Sequence, residues 1–215
     1  MTQQSNSLAA FVDAIEASDL TTVRSLFESH PEQLHAYTPF GGGTWLHFAA
    51  REGSRDVVEY LLGEGIDINV GDRDDATPLV SAARGGHYEV VRYLLECGAV
   101  MDTSASVRNP LFAAISGSIQ VNATWDPPTG EAPQIVRLFL EQGIDSRVRY
   151  NSSTMKNMDA LAFAAMLGAN DLARIIALWN AQGDEVEADK ALAEARATAK
   201  SNTQAVPVGE QYRPS

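Results

Sequence analysis

An all-α solenoid of about five stacked helix-turn-helix units, with short hairpin-like loops and a closing C-terminal helix, is the fold the sequence predicts. Three observations carry that prediction. Thr44, Leu46, Ala49, Ala50, Gly53, Val57, Val58, Leu61, Leu62 and Gly65 recur 33 residues later as Thr77, Leu79, Ala82, Ala83, Gly86, Val90, Val91, Leu94, Leu95 and Gly98. Each unit holds two apolar blocks at helical spacing, the second ending on a glycine suited to a left-handed C-cap. The frame also continues outward into less regular units, as a stack needs, because its end units must cap an otherwise exposed apolar face.

The elements follow in order. Residues 1–40 form an N-terminal capping unit in which Phe11, Ser18, Val23, Leu26, Phe27 and His30 occupy the frame. In residues 41–73, Gly41, Gly42 and Gly43 supply a hairpin tip and Thr44 caps a first helix. There the small Ala49-Ala50 pair admits a neighbouring helix, and VVEYLLGEG writes the second helix. Residues 74–105 repeat the plan through TPLVSAARGG and VVRYLLECG. Residues 106–150 restart at Asn109-Pro110-Leu111, but Leu111 to Val136 spans 25 residues where Leu46 to Val58 and Leu79 to Val91 span 12. The 13 extra residues, SIQVNATWDPPTG at 118–130, contain Asp126-Pro127-Pro128 and Gly130 and are expected to be a loop standing off the array. Residues 151–184 make a degenerate unit from Asp159-Ala160-Leu161 to Gly168. EVEADKALAEARATAK at 185–200 is a helix former with an apolar stripe of Val186, Ala193 and Ala197, and 201–215 is expected to be a disordered tail.

Composition narrows the function classes. The chain has 215 residues, 45% of them hydrophobic and 20% charged, enough for one domain or a short array with a sizeable core. A net charge of −12 argues against a binder of duplex nucleic acid or of anionic membrane. The single cysteine, Cys97, excludes an internal disulfide and fits a reducing compartment. The start carries no basic, apolar signal segment, and no apolar run reaches the ~18 to 20 residues of a membrane span. A cytoplasmic location is the expectation.

The residues Thr77-Pro78-Leu79, Thr44-Trp45-Leu46-His47 and Leu94-Leu95-Glu96-Cys97-Gly98-Ala99 resemble the ankyrin-repeat family, although the first lacks the family's His and the second its Pro. The resemblance covers roughly residues 8 to 184. It implies a non-catalytic, monomeric binding protein whose hairpin tips and outward first-helix positions line a concave groove that grips another protein. The compact, acidic chain looks like stand-alone bacterial members, some of which serve as immunity proteins or antitoxins occluding a toxin or effector. A regulatory adaptor or inhibitor is the alternative.

By that resemblance, the groove slots hold Phe40, Arg51, Glu52, Arg73, Asp74, Arg84 and Arg108, then Met155, Lys156, Met158, Met166 and Leu167. Five cations against two anions suggest an acidic patch on the partner, since arginine's planar fork suits carboxylate. The competing reading pairs these arginines with Glu52, Asp72, Asp74 or Asp75 in solvated salt bridges. The methionines with Leu167 make either an adaptable apolar patch or core filler. Trp125 in the insertion is a hot-spot residue type, unless it folds back on its neighbours, and Trp45 is a second exposed-aromatic candidate.

No catalytic, cofactor or metal site is expected, and an enzyme is a remote alternative. His30, His35, His47 and His87 lack ligand spacing. His47 and His87 are expected to pack and hydrogen-bond within turns, His30 to cap a helix, and His35 to face solvent. Cys97 beside Glu96 is expected to be inert. The three glycines lack the lysine of a phosphate loop. The Asn122-Ala-Thr124 and Asn151-Ser-Ser153 sequons are discounted for a chain with no visible secretory route.

Overall fold

The computed structural model describes residues 2–38, 42–119, 131–151 and 156–204. Among them, α1 (Thr2–Glu16) pairs with α2 (Leu20–Ser29), α3 (Trp45–Glu52) with α4 (Arg55–Gly63), and α5 (Pro78–Gly85) with α6 (Tyr88–Glu96). Further along, α7 (Pro110–Gly117) pairs with α8 (Ala132–Glu141), α9 (Ala160–Leu167) with α10 (Asn170–Asn180), and α11 (Glu185–Gln204) follows. The pairs stack in two rows. An inner row runs α1, α3, α5, α7, α9, an outer row runs α2, α4, α6, α8, α10, and α11 packs on both α9 and α10.

Local chemistry sets the boundaries. Thr44 and Thr77 stand extended before α3 and α5, and Asn109 and Asp159 accept backbone N–H groups of Leu111 and Ala162 at the starts of α7 and α9. Gly53 and Gly86 stop α3 and α5 at φ of 77° and 79°, a conformation costly for any residue with a Cβ. One apolar core runs the length of the stack. It is built from Leu46, Leu79 and Leu111 of the inner row with Val57, Val58, Leu61, Val90, Val91, Leu94, Ile135, Val136 and Phe139 of the outer row.

Close inner-row packing depends on residues without side chains. A Cβ at Gly85 would lie 2.2 Å from the Arg51 carbonyl oxygen, and one at Gly117 would lie 2.0 Å from that of Arg84. Helices α5 and α7 therefore end against the backbone of the helix before them.

Two expectations are corrected here. Trp45 is fully buried, stacked on Phe11 with ring centroids 4.8 Å apart and edge-on to Phe48. It occupies the first helical position, which Pro78 and Pro110 fill in the next units, and its neighbour is the N-terminal pair, whose α1 offers an aromatic face. On α11 the expected stripe is out of phase. Val186 is 80% exposed and Ala193 and Ala197 face solvent, while Ala188, Leu192, Ala195, Ala199 and Asn202 are buried. Their spacing of four and three residues is the helical seam that meets α9 and α10. The helix continues through Gln204, so residues 201–204 are ordered in α11, and the rest of the expected tail lies outside the described residues.

Candidate functional site

The inner row presents one side chain set to solvent, at positions equivalent from helix to helix. Phe48, Ser81, Ala113 and Phe163 form one column, Arg51, Arg84, Ser116 and Met166 a second, and Glu52, Gly85, Gly117 and Leu167 a third. Arg84 is exposed, Ala113 is buried, and the others are half-buried. Along the stack the face changes from aromatic and cationic on α3 and α5, through small residues on α5 and α7, to apolar on α9.

Arg51 and Arg84 are electrostatic neighbours. Burial pulls the Arg51 guanidinium below its ordinary pKa, Glu52 opposes this and Arg84 adds to it, and the group stays charged throughout. Beneath them lies a brace. The His87 imidazole donates a hydrogen bond to the Arg51 backbone; burial lowers its pKa, and that bond and the Glu131 carboxylate counteract the shift. Glu131 accepts the Tyr88 N–H at 2.9 Å, capping α6 from across the stack. The two roots of the insertion, Gly117 against Arg84 and Glu131 on α6, thus stand along the edge formed by the C-terminal ends of the inner helices, which also carries Arg51 and Arg84.

The expected cationic lane divides in two. Arg51, Glu52 and Arg84 lie at the C-terminal ends of inner helices, whereas Arg73, Asp74, Arg108 and Lys156 lie on the hairpins that precede them. Arg108 is tied between hairpins, 2.8 Å from Asp75 and 3.8 Å from Asp102, which is the salt-bridge arrangement and not an open ligand site. Arg73 is exposed, its stem laid against Gly42, where a Cβ would come within 2.8 Å of Arg73 Cδ. Asp74 is exposed on a turn built by Asp72, which accepts the N–H groups of Asp74 and Ala76. Lys156 is exposed, with its backbone held by Asn202. Met158 is fully buried and so belongs to the core, Met166 and Leu167 are half-buried, and Phe40, Trp125 and Met155 lie outside the described residues.

The histidines are structural where they are buried. His47 Nδ1 accepts the Thr44 N–H at 3.1 Å, and its Nε2 donates to the Ala76 carbonyl at 2.9 Å, which fixes a neutral tautomer. Burial holds its pKa below the ordinary value. His30 caps α2, and His35 is exposed. Among the described residues, no group of three or more His, Cys, Asp or Glu side chains is placed to hold a metal ion.

Sequence reasoning missed one feature. A cleft of about 790 Å³ opens between α8 and α10, with Arg137, Ile144, Arg147, Ile175, Leu178 and Trp179 among its lining residues. Trp179 is 48% exposed. The signal is the length of α10, 11 residues against 9 in α4 and α6, with Trp179 in its last turn.

Comparison with known proteins gives a consistent picture. The family model described as ankyrin repeats matches in three copies, over residues 11–105 and 46–123. A protein of Oryza sativa subsp. japonica named "Probable E3 ubiquitin-protein ligase" is 40% identical over 113 residues, which are 51% of this chain and 22% of that protein. A palmitoyltransferase of Lachancea kluyveri is 37% identical over 108 residues, 49% of this chain and 15% of the relative. The protein phosphatase 1 regulatory subunit 12A of Mus musculus is 39% identical over 71 residues, 33% of this chain and 7% of the relative. The chain thus spans less than a quarter of the length of any of these three.

Proposed function

The chain belongs to the ankyrin-repeat family, and from that premise we propose that it works by holding another protein against the solvent face of α3, α5, α7 and α9, without catalysis of its own. The observation that carries this reading is the position of Arg84. It is exposed, stands next to Arg51, makes no ion pair among the described residues, and sits on a molecule of net charge −12 in which Arg108, on the hairpin before α7, is already paired. An unpaired guanidinium on a patterned face suits a carboxylate of the partner.

Phe40, Arg73, Asp74, Lys156 and Met155 on the hairpins extend the proposed surface, and Trp125 joins it through the insertion, whose roots flank Arg84 and α6. The relatives include a phosphatase regulatory subunit and a ubiquitin ligase by name, and a regulatory adaptor or inhibitor is the role we favour. The immunity-protein or antitoxin role rests on the acidic charge and on likeness to stand-alone members, while the relatives named above are plant, yeast and mammalian proteins. It enters as one outcome of the same experiment. A monomer in the cytoplasm completes the proposal; among the described residues no helix is long and apolar enough to cross a membrane.

The test is affinity capture with the whole chain and with an Arg51→Glu/Arg84→Glu variant. A protein retained by the former and lost from the latter supports the inner-row face. Equal retention by both moves binding elsewhere, with deletion of residues 119 to 130 as the next arm. Identification of a toxin-like protein would favour the immunity role over the adaptor.

A further inference from the structure

The solvent face of the inner row has a direction, and the direction specifies a ligand. At one end are Arg84 and Arg51, with Glu52 offsetting part of their charge. At the other are Phe163, Met166 and Leu167, all partly exposed, with Phe163 supported by stacking on Phe112 at 4.7 Å. Between them, on α7, the equivalent positions are Ala113, Ser116 and Gly117, so the floor carries little side chain. A partner would meet attraction for negative charge, then a shallow trough, then an apolar ledge.

We propose that this face takes an extended segment of a partner protein, acidic where it crosses α5 and apolar where it crosses α9. The inference rests on the inner-row reading above and adds the chemistry and spacing of what it binds. Width selects an extended chain: the exposed positions of each helix, such as Phe48 to Glu52, cover five residues and a rise of only about 6 Å. That accommodates a strand-like segment better than a helix about 10 to 12 Å across. Length sets the spacing. From α5 to α9 are two interhelical steps of about 8 to 10 Å each. At about 3.3 Å per extended residue, the acidic and apolar anchors fall about five or six residues apart. Charge complementarity places the acidic anchor, because the described part of the α9 end carries no cation on these columns to rival Arg84.

Synthetic ten-residue peptides provide the test, each with an Asp-Asp pair and a Leu-Phe pair, in both orders and at spacings of two to eight residues. Their binding to the whole chain would be measured by fluorescence polarisation. The expected result is an optimum at about five or six residues in one of the two orders, with binding at least tenfold weaker at a spacing of two. Arg84→Glu and Met166→Glu should each weaken the best peptide at least tenfold, and replacing Asp-Asp by Lys-Lys should restore binding to Arg84→Glu. That restoration separates lost complementarity from a damaged fold. A flat dependence on spacing, or the absence of binding by every peptide, overturns the proposal. If Arg84→Glu abolishes capture of a natural partner while Met166→Glu leaves it intact, the inner-row reading survives and this extension of it fails. If neither change affects capture, both fail.

Discussion

Gly117 lies so close beneath the carbonyl of Arg84 that a Cβ there would stand 2.0 Å from the oxygen. Two effects of Gly117→Ala oppose each other. Alanine gains about 1 kcal/mol over glycine in helix propensity, but overpacking against a backbone atom typically costs about 1 to 3 kcal/mol. At this distance the clash wins, because a carbonyl oxygen in the neighbouring helix cannot rotate aside as a side chain can. Gly117→Ala and Gly85→Ala should each lower the melting temperature by several degrees, at about 2 to 4 °C per kcal/mol for a chain of this size. Gly63→Ala is the control. Nothing lies within 4 Å of a Cβ there, so thermal melting should show no loss and a small gain.

His47 makes stability depend on pH in a defined direction. Its folded-state pKa is lowered by burial from an ordinary value of 6.5, so the unfolded chain takes up the proton first as pH falls. The contribution is complete above about pH 6.5 and is lost between there and the lower folded-state value. Gln is the apt replacement, since an N3 glutamine can still reach the Thr44 N–H while giving up the bond to Ala76. His47→Gln should cost about 1 to 2 kcal/mol at pH 7.5 and less at pH 5, read as a convergence of the two melting curves. Curves that stay parallel across this range would show that His47 does not titrate differently on folding.

Trp45→Ala should cost about 3 to 5 kcal/mol, as expected for emptying a fully buried aromatic site. The loss should appear first as release of α1 and α2, because Phe11 is the partner lost. Hydrogen exchange would show early loss of protection over residues 7–29 with α5 and α6 retained. If exchange accelerated uniformly along the stack, the N-terminal pair would not be a separable cap.

How much of this was legible follows from what each inference required. The 33-residue recurrence, the threonine caps and the glycine stops are local signals, and α3 to α6 are written in them directly. The frame misplaces Trp45 because its environment is Phe11, 34 positions earlier, and a frame says which slot a residue fills but not what faces the slot. The expected stripe on α11 is out of phase because an alanine-rich helix offers several candidate faces, and contact with α9 and α10 selects the one through Leu192. The repeat slots alone do not tell which end of a helix a cation occupies, so they group Arg108 with Arg84 although Asp75 holds Arg108. The cleft is lined from α8, the loop after it and α10, so it is a tertiary feature that no repeat template contains.

Asn202 closes the far end of the stack by acting as a surrogate backbone. Its Oδ1 accepts the Lys156 N–H at 2.8 Å and its Nδ2 donates to the Lys156 carbonyl at 3.1 Å, while Arg174 pairs with Glu185 and Asp189 at the helix start. The two attachments should not be equivalent. The arginine pairs are largely exposed and worth less than about 1 kcal/mol each, whereas losing the Asn202 amide strands two part-buried backbone groups at about 1 to 3 kcal/mol. Asn202→Ala should therefore destabilise more than Arg174→Ala, and the amide of Lys156 should exchange faster in the first variant only. Leu192→Ala should cost about 2 to 3 kcal/mol from the same seam, and Val186→Ala nothing measurable, since Val186 is 80% exposed. If Val186 proved the costlier change, α11 would pack in the phase of Val186, Ala193 and Ala197.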